Sequence, residues 1–225
     1  VVVRKEDDEM IPKFQGVDVK EFFMGMKERN VAGTTEQLQQ AHVIIAGAGG
    51  LGSNIAIALT RSGVGHLTII DFDTIEMSNL NRQQYKVSQI GLPKVTALKQ
   101  NLLEFNPFIE IDTVQTKITS ENIAELFADA DIICEAFDNP TAKAMLLEGA
   151  TKHYPDKPLV MGNGMAGLHL TNEIQTKQPL PNVYICGDGY SKGMEGLMAP
   201  RVMVCAGHEA NAILRLLTNQ PVLSE

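Results

Sequence analysis

The chain has 225 residues, of which 27 are acidic and 19 basic, giving a formal net charge of −8. Hydrophobic residues make up 44% and charged residues 20%, which excludes wholesale disorder and supplies a core large enough to fold without staples. The acidic balance leaves no surplus of Lys and Arg to release counterions from phosphates, so nonspecific nucleic-acid binding is a poor fit.

Residues 1–18 carry mixed charges with no sustained period and are expected to form a flexible arm. In 19–30, Phe22, Phe23 and Met26 fall at helical spacing, which predicts a short amphipathic helix. From residue 42 apolar runs alternate with helical segments: a strand over 42–47, a helix over 50–62 and a strand over 66–71. Such runs suit parallel strands covered on both faces, joined by right-handed crossovers. A helix over 92–105 follows, with Pro93 in its first turn and Asn106-Pro107 at its end. Next come a strand near 109–115, a helix near 120–128 opened by Ser120, and a strand over 131–136. Residues 141–153 read as helix and 159–164 as strand. Beyond Gly164, short β-rich pieces set off by Pro179 and Pro181 add antiparallel strands. The Gly-rich stretch 187–196 reads as an exposed, mobile loop, and a helix over 201–218 closes the chain. The expected fold class is α/β: a doubly wound, Rossmann-like, mostly parallel sheet with added C-terminal antiparallel strands, residues 19–225 forming a single domain.

The cysteines are Cys134, Cys186 and Cys205, with no CxxC pair, so neither a disulfide framework nor a structural zinc is expected. No segment has the roughly 20 apolar residues of a membrane span, and residues 1–10 do not read as a secretory signal, so the expectation is a cytoplasmic protein without membrane association.

The first strand–helix turn reads G-A-G-G-L-G, from Gly47 through Gly49, Gly50 and Leu51 to Gly52. Its glycines permit a tight turn and close backbone approach, so that amides at the helix start can face a phosphate. Asp71 closes the second strand, where an acidic side chain commonly accepts from a ribose hydroxyl. Just beyond it, Asn79, Arg82 and Gln83 crowd a loop, and Lys94 lies on the next helix. Cations and amide donors of this kind suit a triphosphate better than a dinucleotide. Asp138, in A-F-D-N after the 131–136 strand, has two readings: Asp138 or Asn139 caps the following helix, or Asp138 binds Mg²⁺.

With GAGGLGSNIAIALTRSGVGHLTIIDFD, SNLNRQQY, GLPKV and Asp138-Asn139 in place, the chain resembles the ThiF/MoeB/ubiquitin-activating family of ATP-dependent adenylyltransferases over about residues 19–218. Its AFDN, YICGDG and GLMAPR segments look most like the compact ThiF branch of thiamine synthesis. The resemblance implies that the C-terminal glycine carboxylate of a ubiquitin-like sulfur carrier, ThiS in that branch, attacks the α-phosphate of ATP and releases pyrophosphate. It also implies that Gly50 approaches the phosphates, Asp71 binds ribose, Ser78, Asn79, Asn81 and Arg82 line the nucleotide, Lys94 contacts phosphate and Asp138 holds Mg²⁺. Arg29 is the best match to an arginine that the family donates across a homodimer interface. Cys186 lies where a relative carries a zinc-ligand cysteine and is expected to be structural, as are Cys134 and Cys205. Two rival readings are an NAD-dependent oxidoreductase, for which no hydride-transfer constellation is evident, and a noncatalytic scaffold subunit.

Overall fold

The computed structural model describes residues 13, 14 and 16–223. Most of the expected arm lies outside the described residues. The strands β1 (Lys13–Phe14) and β2 (Val17–Asp18) pair antiparallel, and Asp18 accepts from the Glu21 amide at 2.7 Å to cap helix α1 (Val19–Lys27). The amphipathic face of α1 sets Phe22 and Phe23 against Phe108, with Phe22–Phe108 ring centroids 5.4 Å apart. A five-residue helix, α2 (Thr35–Gln39), follows; the sequence pattern did not predict it, because a single turn is too short to show a period.

The body alternates strand and helix as expected: β3 (His42–Ala46), α3 (Gly50–Ser62), β4 (His66–Ile70), α4 (Lys94–Leu103), β5 (Glu110–Val114), α5 (Ile123–Leu126), β6 (Ile132–Glu135), α6 (Pro140–His153), β7 (Leu159–Gly162), β8 (Gln175–Leu180), β9 (Val183–Gly187) and α7 (Ala199–Leu217). Helix α5 is shorter than predicted. Asn122 accepts from the Thr119 amide and donates to the Lys117 carbonyl, which holds Ser120 and Glu121 in the preceding turn. The seven strands are ordered β5-β4-β3-β6-β7-β9-β8, all pairs parallel except β8–β9. Pro179 sits in edge strand β8, where the register shifts, as a residue without an amide donor requires.

Alternation along β3 divides the interior. Val43 and Ile45 face Leu51, Ile55, Leu98 and Ile213 beneath α3, α4 and α7, whereas Ile44 and Ala46 face Ile123, Phe127 and Leu146 beneath α5 and α6. The 187–196 stretch is largely exposed yet pinned. The Tyr190 and Ser191 amides each donate to Asp188 Oδ1 at 2.9 Å, and the buried Arg201 guanidinium pairs with Asp188 Oδ2. Among the described residues no helix is long and apolar enough to cross a membrane.

Between α7 and the sheet lies a fully buried carboxyl, Glu209, with Oε2 lacking a partner and Oε1 facing the Cys205 thiol at 3.7 Å. Burial pushes its pKa well above the ordinary range, with Lys143 pulling the other way. A glutamate whose folded pKa exceeds its unfolded value of about 4.3 contributes stability that is complete below that value and is lost as pH rises through the folded pKa. Glu209→Gln carries no proton to lose. Its melting temperature relative to the parent should therefore increase between about pH 5.5 and about pH 8.5 by at least about 2–4 °C, the shift that each 1 kcal/mol produces in a domain of this size. A difference that stays constant with pH would refute the assignment.

Candidate functional site

The strand order reverses between β3 and β6, which opens a crevice at their carboxyl ends, where open α/β sheets bind ligands. The Gly47–Gly52 turn and the Ala136–Asn139 loop border it. Gly47 has φ +104°, and a Cβ there would lie 2.8 Å from the Ala136 carbonyl oxygen. A Cβ on Gly52 would lie 1.8 Å from the Gly47 oxygen. The turn is thus packed backbone on backbone at Gly47 and Gly52.

Asp71 clasps this turn: Oδ2 accepts from the Ala48 amide at 2.6 Å, and Oδ1 from the Asp73 amide at 2.8 Å. The Tyr85 hydroxyl donates to the Ala48 carbonyl at 2.6 Å from the other side. Segment 73–75 then runs against 91–93, with the Ile75 amide on the Leu92 carbonyl at 2.9 Å and the Lys94 amide on the Asp73 carbonyl at 3.0 Å. This brings the Lys94 ammonium, only 6% exposed, to Asp73 Oδ2 at 2.8 Å. The Asp73 partner has no counterpart in the sequence reading.

Arg82 is half-buried over the start of α3, its Cγ 3.5 Å from where a Cβ on Gly50 would stand. Its Nη1 donates to the Ser78 carbonyl (3.1 Å) and Asn81 Oδ1 (2.8 Å). Asn81 in turn donates to the Leu197 carbonyl at 2.9 Å, tying this loop to the approach to α7. Asn79 accepts from the Glu76 amide at 2.9 Å, and Ser78 is exposed. Gln83 is buried, its Nε2 3.8 Å from a Gly49 Cβ position and its Oε1 without a partner. A buried acceptor left open beside a glycine turn has unused capacity for a bound group.

Across the crevice, the capping role falls to Asn139, whose Oδ1 accepts from the Thr141 and Ala142 amides at 2.8 and 3.1 Å. Asp138 is exposed and has no hydrogen-bond or ion-pair partner among the described residues. One open carboxylate beside a phosphate-sized turn fits Mg²⁺, which takes one or two carboxylates plus phosphate oxygens. Gly47, Gly49, Gly50, Gly52, Asp71, Arg82, Gln83, Lys94 and Asp138 therefore lie on the turn, loops and strand ends that border one crevice, whereas Leu51 turns its side chain into the core.

Arg29 is not brought there within one chain. It is exposed just after α1, and the neighbouring Asn30 donates to the Ser62 carbonyl at the far end of α3, about 20 Å of helix from the Gly turn. All three cysteines are buried and free. Burial pushes the Cys186 thiol up to about 12 and those of Cys134 and Cys205 well above the ordinary value. Sequence reasoning missed the buried Glu135–Lys143 pair beneath the Asp138 loop. An acidic residue ending an apolar strand was its only signal.

The model of the ThiF family matches residues 23–224, and the chain belongs to that family. It is 32% identical over 195 residues to the adenylyltransferase and sulfurtransferase MOCS3 of Dictyostelium discoideum, which covers 81% of this chain and 44% of that protein. It is 34% identical over 128 residues to a sulfur carrier protein adenylyltransferase of Thermus thermophilus, covering 56% of this chain and 46% of the relative. The chain thus spans less than half the length of either. The fold also matches Escherichia coli tRNA N6-threonylcarbamoyladenosine dehydratase, TcdA, solved in complex with ATP, at TM-score 0.79 and 21% identity, covering 88% of this chain and 93% of that one.

The missing Cβ atoms make the turn testable apart from any activity. Gly52→Ala should lower the melting temperature by at least about 4 °C, since forcing a methyl into a packed backbone costs about 1–3 kcal/mol or more. Gly207→Ala, in α7 with open space around it, should hold or slightly raise it. Equal melting of the two variants would contradict the packing described.

Proposed function

We propose that this ThiF-family chain, with residues 19–225 acting as one domain, adenylylates the C-terminal glycine carboxylate of a ubiquitin-like sulfur carrier with ATP and releases pyrophosphate. The observation that carries the reading is Arg82 held over the glycine turn opposite an unpartnered Asp138, at the crevice where the strand order reverses. The names of the Dictyostelium and Thermus relatives support an adenylyltransferase acting on a sulfur carrier. The AFDN, YICGDG and GLMAPR segments favour the thiamine-type carrier, ThiS.

The chemical difficulty is an anion attacking an anion. Each pair of unit charges 4 Å apart repels by about 4 kcal/mol at an effective dielectric near 20. Arg82 and Lys94 offset that repulsion, and donors fixed before the reaction stabilise charge without reorganising during it. Lys94 turns from Asp73 toward phosphate or is shared with it. Asp71 has a lone pair left on each oxygen for a ribose hydroxyl, and Gln83 Oε1 accepts from the nucleotide. Mg²⁺, when bound at Asp138, neutralises phosphate charge.

ATP–pyrophosphate exchange with a ThiS-like and a molybdopterin-type carrier tests the reading directly. Arg82→Ala and Lys94→Ala should each lower exchange at least about a hundredfold while leaving the fold intact. Near-normal exchange in either, or protection from melting by NAD in place of MgATP, would overturn it.

The site is completed by Arg29 of a second copy in a homodimer. Met24 and Val31 near Arg29, and Phe72, Met77, Val87, Ile90 and Leu92 on the site's own loop, are exposed apolar side chains suited to such a face. Arg29→Ala and Asp138→Asn should each keep about a hundredth of the parent exchange alone. Mixed and re-equilibrated one to one, they should recover about a quarter of the parent rate, because half the dimers then hold one intact site. Light scattering should give twice the chain mass, and an active monomer, or no recovery on mixing, would rule the arrangement out.

A further inference from the structure

Glu135 ends β6 with no solvent exposure, and Lys143 lies one turn into α6 with 17% of its side chain exposed. The ammonium donates to both Glu135 oxygens, at 2.9 and 3.0 Å, and to the Gly162 carbonyl of β7 at 2.7 Å. All three of its protons are thereby engaged. Glu135 Oε1 also accepts from the Phe137 amide at 2.6 Å, so the chain turns sharply as it leaves the strand. Two residues on, Asn139 is fixed as the cap of α6.

Asp138 stands between these two anchored neighbours and has no anchor of its own among the described residues. The place of its backbone, and so the reach of its carboxylate, is set by the Phe137 amide on one side and the Asn139 cap on the other. Asp138 and Glu135 also repel each other, and Lys143 is the cation between strand and helix that offsets the repulsion.

We propose that Lys143 is a positioning residue: by clamping Glu135 and the Gly162 carbonyl beneath the 136–139 loop, it fixes where Asp138 presents its carboxylate to the nucleotide-bound cation. This rests on the adenylyl-transfer reading above. Without Lys143 the buried Glu135 loses the one cation that pairs with it among the described residues, the Phe137 amide loses its charged acceptor, and the loop loses its register on the strand. Lys143→Arg keeps a cation in the clamp, whereas Lys143→Met keeps only the stem.

The test uses both variants in the full chain. In Lys143→Met the magnesium concentration for half-maximal exchange should rise about tenfold or more, the usual effect of removing a group that orients a metal ligand. The KM for ATP at saturating magnesium should move less than about twofold, and Lys143→Arg should recover most of the loss. Hydrogen exchange gives a readout independent of activity: the Phe137 amide should exchange faster in Lys143→Met while amides in β3 keep their protection. In an Asp138→Asn background, Lys143→Met should add almost nothing, because a residue acting through Asp138 has nothing left to position. Unchanged magnesium dependence, or losses that multiply with those of Asp138→Asn, would overturn the proposal while leaving adenylyl transfer standing. A parent protein without exchange on any carrier removes the adenylyl-transfer reading and this proposal with it. Should Lys143→Met not fold, Glu135→Gln with Lys143→Arg carries the same comparison, with the same outcomes deciding.

Discussion

The chain can leave β3 and enter α3 beneath the neighbouring strand only because no side chain stands at Gly47 or Gly52. The carbonyl of Ala136 occupies the space a Cβ at Gly47 would need, and the Gly47 carbonyl occupies that of Gly52. This contact sets β3 and β6 at the separation where the strand order reverses, and the rest of the site is hung from it. Asp71 reaches back from β4 to the Ala48 amide, Tyr85 reaches up to the Ala48 carbonyl, and the loop carrying Arg82 is drawn over the helix start as a result. A turn held by three separate elements offers its amides to a ligand in a fixed geometry, which is the condition for preorganised charge stabilisation.

A protein with a net charge of −8 needs its cations placed rather than merely present if it is to receive a triphosphate as proposed. Lys94 is buried against Asp73 and Arg201 against Asp188, and the half-buried Lys143 pairs with the buried Glu135, so each is held by an acidic partner. Arg82 differs: it is held only by a carbonyl and an amide oxygen through Nη1, and its Nε and Nη2 have no partner among the described residues. It therefore keeps a full charge and free donors at the crevice, whereas Lys94 must be shared with a carboxylate. The other two pairs serve geometry: Arg201–Asp188 pins the 187–196 loop, and Lys143–Glu135 ties β6, β7 and α6 together.

The parts of this arrangement that were legible in the sequence are those written in local pattern. The apolar runs of β3, β4, β6 and β7 and the glycine turn fix a doubly wound sheet and its crevice, because burial on both faces needs contiguous apolar residues. Asp71, Arg82, Gln83 and Lys94 were legible as a cluster because they flank one strand end. Their internal partners were not: Asp73 for Lys94 depends on 73–75 folding back on 91–93, and Glu135 with Lys143 depends on α6 packing under the 136–139 loop. The choice between Asp138 and Asn139 as helix cap was likewise undecidable from spacing, since both side chains cap well, and only the backbone geometry gives the role to Asn139. Helix α2 and the true start of α5 escaped for a related reason, a single turn and a side-chain-held loop leaving no periodicity to read.

The cysteines bear on how the proposed chemistry is divided. Sulfur transfer needs a thiolate, and thiolates form where cations or helix starts lower the pKa and solvent gives access. Cys134, Cys186 and Cys205 are buried instead, near the fully buried Glu209, and desolvation drives all three thiols upward. Cys186 offers its sulfur to Thr176 Oγ1 at 3.4 Å, and Cys205 donates to the Cys186 carbonyl at the same distance, both packing contacts between β8, β9 and α7. An acyl-adenylate formed at the crevice would thus meet no nucleophilic thiol from these three residues. Under the proposed function the fold would activate a carboxylate, and any sulfur that follows would be delivered by a group other than Cys134, Cys186 or Cys205.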